Sequence, residues 1–188
     1  MTKTPMRRVL LVLLILSGLA LALPMPASVQ TKPAASPAAN PVLVFETAKG
    51  TFEIELFAAE APKSVAHILA LMKKGFYRGQ HFHRVTASLT QWGDLQSRDM
   101  SRRDYWGTGN SGSPIGVFEW SKKRSHVRGA VGLAHSGNPA GADSQLYVMK
   151  AASPGLDGKH AIIGRVTVGM AVVDKIAVAD MIKNTTAK

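Results

Sequence analysis

Cysteine is absent from the 188 residues. That absence excludes disulfides, thiolate metal sites, a cysteine nucleophile and lipid attachment through an N-terminal cysteine. A cysteine-free chain suits an oxidising compartment without requiring one. Acidic residues are scarce, 12 against 23 Lys and Arg for a formal net charge of +11, and none precedes residue 42. Such a surface attracts anionic partners without selecting among them. Reading a nucleic acid requires more: a clustered basic face, a recognition motif or exposed aromatics for stacking. Lys122-Lys123-Arg124 is the one dense basic run and reads as a solvated loop, so no nucleic-acid partner is expected. Gly107, Gly109 and Gly112 permit sharp turns and close backbone approach, but no Lys-Ser/Thr pair follows them, which excludes a phosphate loop. There is no internal repeat.

The N-terminal region has a different composition. Lys3, Arg7 and Arg8 precede the apolar run Val9–Leu16, which continues to Leu23. Ala20 and Ala22 form an A-x-A-like cleavage site. Residues 1–23 therefore read as a signal peptide. An uncleaved N-terminal anchor is the alternative, since no charge falls between Arg8 and Lys32, although Pro24 and Pro26 interrupt a longer helix. Either reading predicts an exported protein, periplasmic or secreted, and anchored in the inner membrane if the segment is retained. Residues 24–41, rich in Pro, Ala and Ser, are expected to be a disordered linker. The folded domain then spans residues 42–188.

Within it, Val42–Thr47 is a β-branched apolar run, Ala48-Lys49-Gly50 a turn, and Thr51–Phe57 alternates Phe52, Ile54 and Leu56 against Glu53 and Glu55. This is a hairpin with one buried face. Pro62 opens a helix carrying Val65, Ile68, Leu69 and Met72 at helical spacing, and Gly75 stops it. Phe82–Thr86, Leu89–Trp92, Ala130–His135, Gln145–Lys150 and Ala161–Val168 read as short strands. Ala171–Ala179 reads as a second helix, and Met181–Asn184 as a closing strand. About seven or eight strands with two helices, and no strand–helix alternation, predict a mainly β fold: a closed antiparallel barrel with helices capping its ends. Residues 95–116, rich in Ser, Arg and Gly, form a loop long enough to be functional or disordered.

Three segments carry the chemistry: Phe82-His83-Arg84-Val85, Ser144-Gln145-Leu146-Tyr147 and Leu156-Asp157-Gly158-Lys159-His160. About 60 residues lead from the first to the second and about 10 more to the third. In this order they resemble the FHRV, SQFF and LDGKH segments of the cyclophilin family of peptidyl-prolyl cis/trans isomerases. The resemblance runs from about Val42 to Asp180. It implies a closed eight-stranded antiparallel β-barrel capped by two α-helices, an isomerase acting on X–Pro bonds of exported proteins during folding, and no cofactor. The partners would be Pro-containing segments of unfolded or folding proteins. A membrane is met only through an uncleaved N-terminal helix, and a monomer is expected.

The reaction sets its own requirements. The peptide C–N bond has partial double-bond character, with a rotation barrier of roughly 18–20 kcal/mol. In the twisted transition state conjugation is lost and the proline nitrogen regains a lone pair. A donor aimed at that lone pair favours the twisted form over the planar one, which lowers the barrier. Arg84 can be that donor: its guanidinium is always charged and offers several N–H groups in a rigid fork. The resemblance assigns it the catalytic role. It further implies that Gln91, Gln145 and His160 orient the peptide and that Leu89, Tyr147 and Leu156 seat the proline ring. His135, Ser136 and Gly137 stand where substrate backbone can pair.

The chain departs from the family pattern in several places. Trp92 replaces a glycine in the Gln-Gly-Asp stretch, and the interval from Arg84 to Gln91 is one residue short, which leaves the register of the pocket floor open. Tyr147 adds a hydroxyl to the pocket aromatic. Gly155 stands where a tryptophan often precedes LDGKH, which removes a wall. These changes keep alive an alternative, a non-catalytic module that holds Pro-containing segments in an eroded site. A third reading, an anionic-surface binder, would use Lys122-Lys123-Arg124 and the Arg-rich loop. His81 and His83 share a spacing suited to zinc, but no third or fourth ligand can be named, and no metal is expected. Ser144, His135 or His160, and Asp157 lack a G-x-S-x-G context for a hydrolytic triad.

Overall fold

The computed structural model describes residues 39–188. The signal-peptide or anchor segment and all but the end of the linker lie outside the described residues. The strands are β1 (Val42–Thr47), β2 (Gly50–Leu56), β3 (Arg84–Val85), β4 (Leu89–Trp92), β5 (Ala130–Leu133), β6 (Leu146–Met149), β7 (Ile162–Val168) and β8 (Ile182–Ala187). Helix α1 covers Pro62–Lys73 and helix α2 covers Met170–Lys175.

All strand pairings are antiparallel, in the order β3-β4-β6-β5-β7-β2-β1-β8. The predicted closed barrel is corrected: the sheet is open and curled, with β3 and β8 at its edges. β3 is too short to form a ladder with β8. Only the segment before it crosses the gap, through a single His81–Met181 bridge and bonds such as Phe82 N–H to Asp180 O (3.0 Å) and Ile182 N–H to Gln80 O (2.8 Å).

The concave face holds the core. Phe45, Phe52, Phe82, Trp92 and Tyr77 are all fully buried. Trp92 stands edge-on to Phe45 at 5.2 Å and to Phe82 at 5.5 Å. Burial of side chains of this size contributes about 1.5–3 kcal/mol each. Helix α1 adds Val65, Ile68, Leu71 and Met72 to the same core. Pro62 starts it, but Ala61 supplies no capping side chain. Glu119 does so from a distant loop, accepting from Lys63 N–H (3.1 Å) and Ser64 N–H (2.8 Å); a carboxylate also suits the positive end of a helix. Gly75, at φ +66°, ends the helix. Phe76 N–H returns to Leu71 O and Gly75 N–H to Met72 O, the Schellman pattern.

Helix α2 is shorter than the predicted Ala171–Ala179. After Lys175 the chain is extended at Ile176, and the Asp180 carboxylate accepts from Ala177 N–H at 2.8 Å, forming a turn where another helical turn would begin. The loop 95–116 is built on 3-10 turns at Leu95–Arg98 and Met100–Tyr105, capped by the side chains of Asp94 and Asp99.

Candidate active site

The hairpin from β3 to β4 resolves the register that the sequence left open. The Thr86 hydroxyl accepts from Ser88 N–H (3.2 Å) and Leu89 N–H (3.1 Å), and Thr86 N–H bonds Leu89 O (2.8 Å). This tight turn places Arg84 directly opposite Gln91. Gln91 in turn faces Tyr147, and Tyr147 faces Gly132. Directly paired residues of antiparallel strands share a face. Arg84, Gln91 and Tyr147 therefore form one row on the convex side, with Leu89 and Met149 in the next row.

A chain of amides orients that row. Arg84 donates from Nη1 to Gln91 Oε1 (3.3 Å), and Gln91 Nε2 donates to Gln145 Oε1 (2.8 Å). Gln145 Nε2 then donates to the carbonyls of Gly107 (3.0 Å) and Gly109 (2.7 Å). The loop that carries these carbonyls is tied to buried Asp94, which accepts from Gln96 N–H and Gly107 N–H. The loop 95–116 thus serves the site by fixing Gln145. Arg84 is exposed and, among the described residues, forms no ion pair. By contrast Arg124, Arg128 and Arg165 are paired with Glu60, Asp174 and Glu55. Arg124 also lies over the Phe57 ring at 3.7 Å, so the basic run is partly structural rather than wholly solvated.

The apolar members of these rows belong to a second cluster, separate from the core: Phe57, Leu89, Ala130, Tyr147, Met149 and Ile162, with Ala134 and Leu156 packed against it. Beside it opens a groove of about 390 Å³ lined by Gln91, Gln145, Gly107–Asn110, Ala134, His135 and Ser136, among others. The predicted residues divide between these two features. Gln91, Gln145, His135 and Ser136 line the groove; Leu89, Tyr147 and Leu156 belong to the apolar cluster; Gly137 is exposed and lines neither. His160 joins the two, stacking on His135 at 4.2 Å and standing edge-on to Tyr147 at 5.9 Å. Burial, the largest cause, pushes the His160 imidazole below its ordinary value. A Cβ added at Gly155 would meet nothing within 4 Å, so the glycine faces open space where a tryptophan was expected.

The remaining sequence candidates are engaged elsewhere. Ser144 is buried and donates to Gly93 O (2.8 Å), so its hydroxyl belongs to the scaffold. His81 bonds the Ser97 carbonyl and stacks on Trp106. His83 lies against Gly107, and burial pushes it below its ordinary value. Sequence reasoning missed His126. It is buried, with Nε2 at 2.7 Å from the Tyr147 hydroxyl and Nδ1 at 2.6 Å from Asp157 Oδ1. No spacing signal links these three positions; only the fold brings them together.

A family model described as cyclophilin type peptidyl-prolyl cis-trans isomerase/CLD matches residues 42–188. Curated relatives include a probable peptidyl-prolyl cis-trans isomerase of Brucella suis, 38% identical over 165 residues, covering 86% of this chain and 83% of that protein. A peptidyl-prolyl cis-trans isomerase of Helicobacter pylori is 35% identical over 141 residues, covering 74% and 82%. Among solved structures, a cyclophilin type isomerase of Cryptosporidium parvum has a TM-score of 0.69 at 22% identity, covering 79% of this chain and 98% of that one. A structure of the same protein in the presence of the dipeptide ala-pro has a TM-score of 0.66 at 23% identity, covering 78% and 98%.

Proposed function

This chain belongs to the cyclophilin-type peptidyl-prolyl cis-trans isomerase family, and from that premise we propose that Arg84 is its catalytic residue, acting on X–Pro bonds of proteins that fold outside the cytoplasm. The observation that carries the residue assignment is the register Arg84–Gln91–Tyr147, which stands an unpaired guanidinium beside an apolar cluster on one face of the sheet. The proline ring rests against Leu89, Tyr147 and Leu156. The preceding peptide runs along the groove, where Gln91, His135, Ser136 and, at its edge, His160 meet its backbone and Gln145 holds the groove in shape. The dipeptide ala-pro present with the Cryptosporidium parvum neighbour supports substrates of this class.

Arg84 then donates to the proline nitrogen as the amide twists. The bond is absent in the planar ground state, because the nitrogen lone pair is delocalised there. An interaction made only in the transition state raises the rate without tightening ground-state binding. The Gln91 contact at 3.3 Å steadies the guanidinium while leaving its other N–H groups free for substrate.

Export rests on the N-terminal charges followed by the apolar run and the A-x-A-like site. Exchange at X–Pro bonds takes tens of seconds and limits folding, so an exported isomerase has clients whose folding it hastens. N-terminal sequencing of the mature protein from a periplasmic fraction would begin shortly after Ala22; a cytoplasmic protein that keeps Met1 would overturn this part.

The test of the site is a protease-coupled assay on a short X-Pro peptide. Wild type accelerates exchange, and Arg84→Ala lowers kcat/KM by about 10²–10³, the loss seen for one transition-state donor, with the thermal midpoint unchanged. Wild-type activity in Arg84→Ala would overturn the assignment.

A further inference from the structure

The chemistry above needs the Tyr147 ring and makes no use of its hydroxyl. The structure nonetheless gives that hydroxyl a specific place. The ring lies across Gly132, where an added Cβ would stand 2.3 Å from both Tyr147 Cζ and the hydroxyl oxygen. Beyond Gly132 the hydroxyl meets His126 Nε2 at 2.7 Å. His126 is only 1% exposed and its ring stacks with that of Tyr147, 5.9 Å away and tilted by 20°. On the far side, Asp157 Oδ1 accepts from His126 N–H (2.7 Å) and lies 2.6 Å from Nδ1.

The order of these contacts sets the protons. With Nδ1–H donating to the Asp157 carboxylate, Nε2 is the ring nitrogen left to accept from the Tyr147 O–H. Both ring nitrogens of the buried His126 and the hydroxyl of the buried Tyr147 have partners, the condition under which such networks rigidify their surroundings. Hydrogen bonds from His126 hold the Asp157 carboxyl below its ordinary value, and burial keeps the Tyr147 phenol protonated by raising it. An aromatic floor held by packing alone can slide along the sheet. This one is stopped from below by the backbone of Gly132 and held at its far end by a hydrogen bond.

We propose that the Tyr147–His126–Asp157 chain is a positioning device for isomerisation, in which His126 is the residue that fixes the Tyr147 ring under the substrate proline. This rests on the reading of Leu89, Tyr147 and Leu156 as the proline floor. The hydroxyl faces the protein interior, so substrate meets an apolar ring while the polar atom works behind it. Pre-set geometry of this kind acts on rate as well as on affinity.

The experiment combines kinetics with NMR on the full domain. In Tyr147→Phe, which keeps the ring and loses the bond, kcat/KM falls about three- to tenfold, the size of one ordinary hydrogen bond. His126→Leu falls at least as far, and His126→Gln, whose amide still reaches the hydroxyl, recovers part of the loss. In the wild type the Tyr147 hydroxyl proton exchanges slowly and shows a cross-peak to the His126 ring. In an active wild type, three results overturn the proposal: wild-type kcat/KM in folded Tyr147→Phe, no recovery in His126→Gln relative to His126→Leu, or a Tyr147 hydroxyl exchanging as fast as that of Tyr105, which is 61% exposed. A protected hydroxyl in a wild type without isomerase activity would refute the floor reading, and the positioning role with it, while leaving the tether itself standing.

Discussion

The sheet has two unlike walls. In β1 and β2 burial alternates: Leu43, Phe45, Phe52, Ile54 and Leu56 face the core, while Glu46 is exposed and Glu53 and Glu55 are half-buried. In β4, β5 and β6 every residue is buried. One wall has a wet outer face, where carboxylates pair with Lys188 and Arg165. The other wall carries apolar side chains on both faces, and its outer ones make the cluster beside Arg84. The lesson is that a strand apolar on both sides needs cover on both sides. The outer cover here comes from Phe57, from Leu156 and Ala134, and, in the proposed function, from the substrate's proline.

The comparison breaks first at the residue where the two walls meet. Trp92 belongs to β4 and packs against Phe45 of β1 and Phe52 of β2. Trp92→Ala should cost about 3–5 kcal/mol, read as a lowered midpoint in urea or thermal unfolding. A loss of under 1 kcal/mol would mean the walls are not energetically joined there.

Next comes the doubly buried wall alone. Gly132→Ala drives a methyl into the Tyr147 ring and should cost about 1–3 kcal/mol by overpacking. It should also lower kcat/KM, because the ring must move. Stability lost without activity lost would show that the outer cluster is structural only.

The smallest effect belongs to the wet wall. The hydrogen bond from Asn40, and then Arg165, hold the Glu55 carboxyl below its ordinary value. A depressed acid contributes stability that is present above its unfolded value and lost as pH falls through the folded one. Glu55→Gln should therefore cost no more than about 1 kcal/mol at neutral pH, and the difference should vanish in acid and shrink with added salt. A larger or pH-independent loss would make this face less like a solvated one than its burial pattern implies.

Legibility in the sequence followed the same division. Thr51–Phe57 alternated cleanly, and the structure pairs it with β1 from Val42↔Glu55 to Thr47↔Gly50. β5 and β6 were placed because short β-rich runs stood between turn residues, yet their period could not say which side faced the core. Arg84, Gln91, Gln145 and Tyr147 were each found through short motifs, and the fold sets them side by side. The short Arg84–Gln91 interval left the register open, and a Thr86-centred turn pairs the two residues directly. The helix α1 cap from Glu119 and the link from His126 to Tyr147 were invisible, because each joins side chains whose separation in sequence carries no periodic signal.

Residue order alone determined that this chain folds as a mostly antiparallel β domain carrying an arginine on a short strand ahead of two further motifs, because strand periodicity and turn chemistry are local. Tertiary structure decided that the sheet stays open, that Arg124, Arg128 and Arg165 pair with carboxylates while Arg84 does not, and that a buried imidazole bonds the Tyr147 hydroxyl. Those outcomes depend on which distant groups come within about 3 Å of one another, the range of a hydrogen bond, and such distances are set only once the whole sheet has curled.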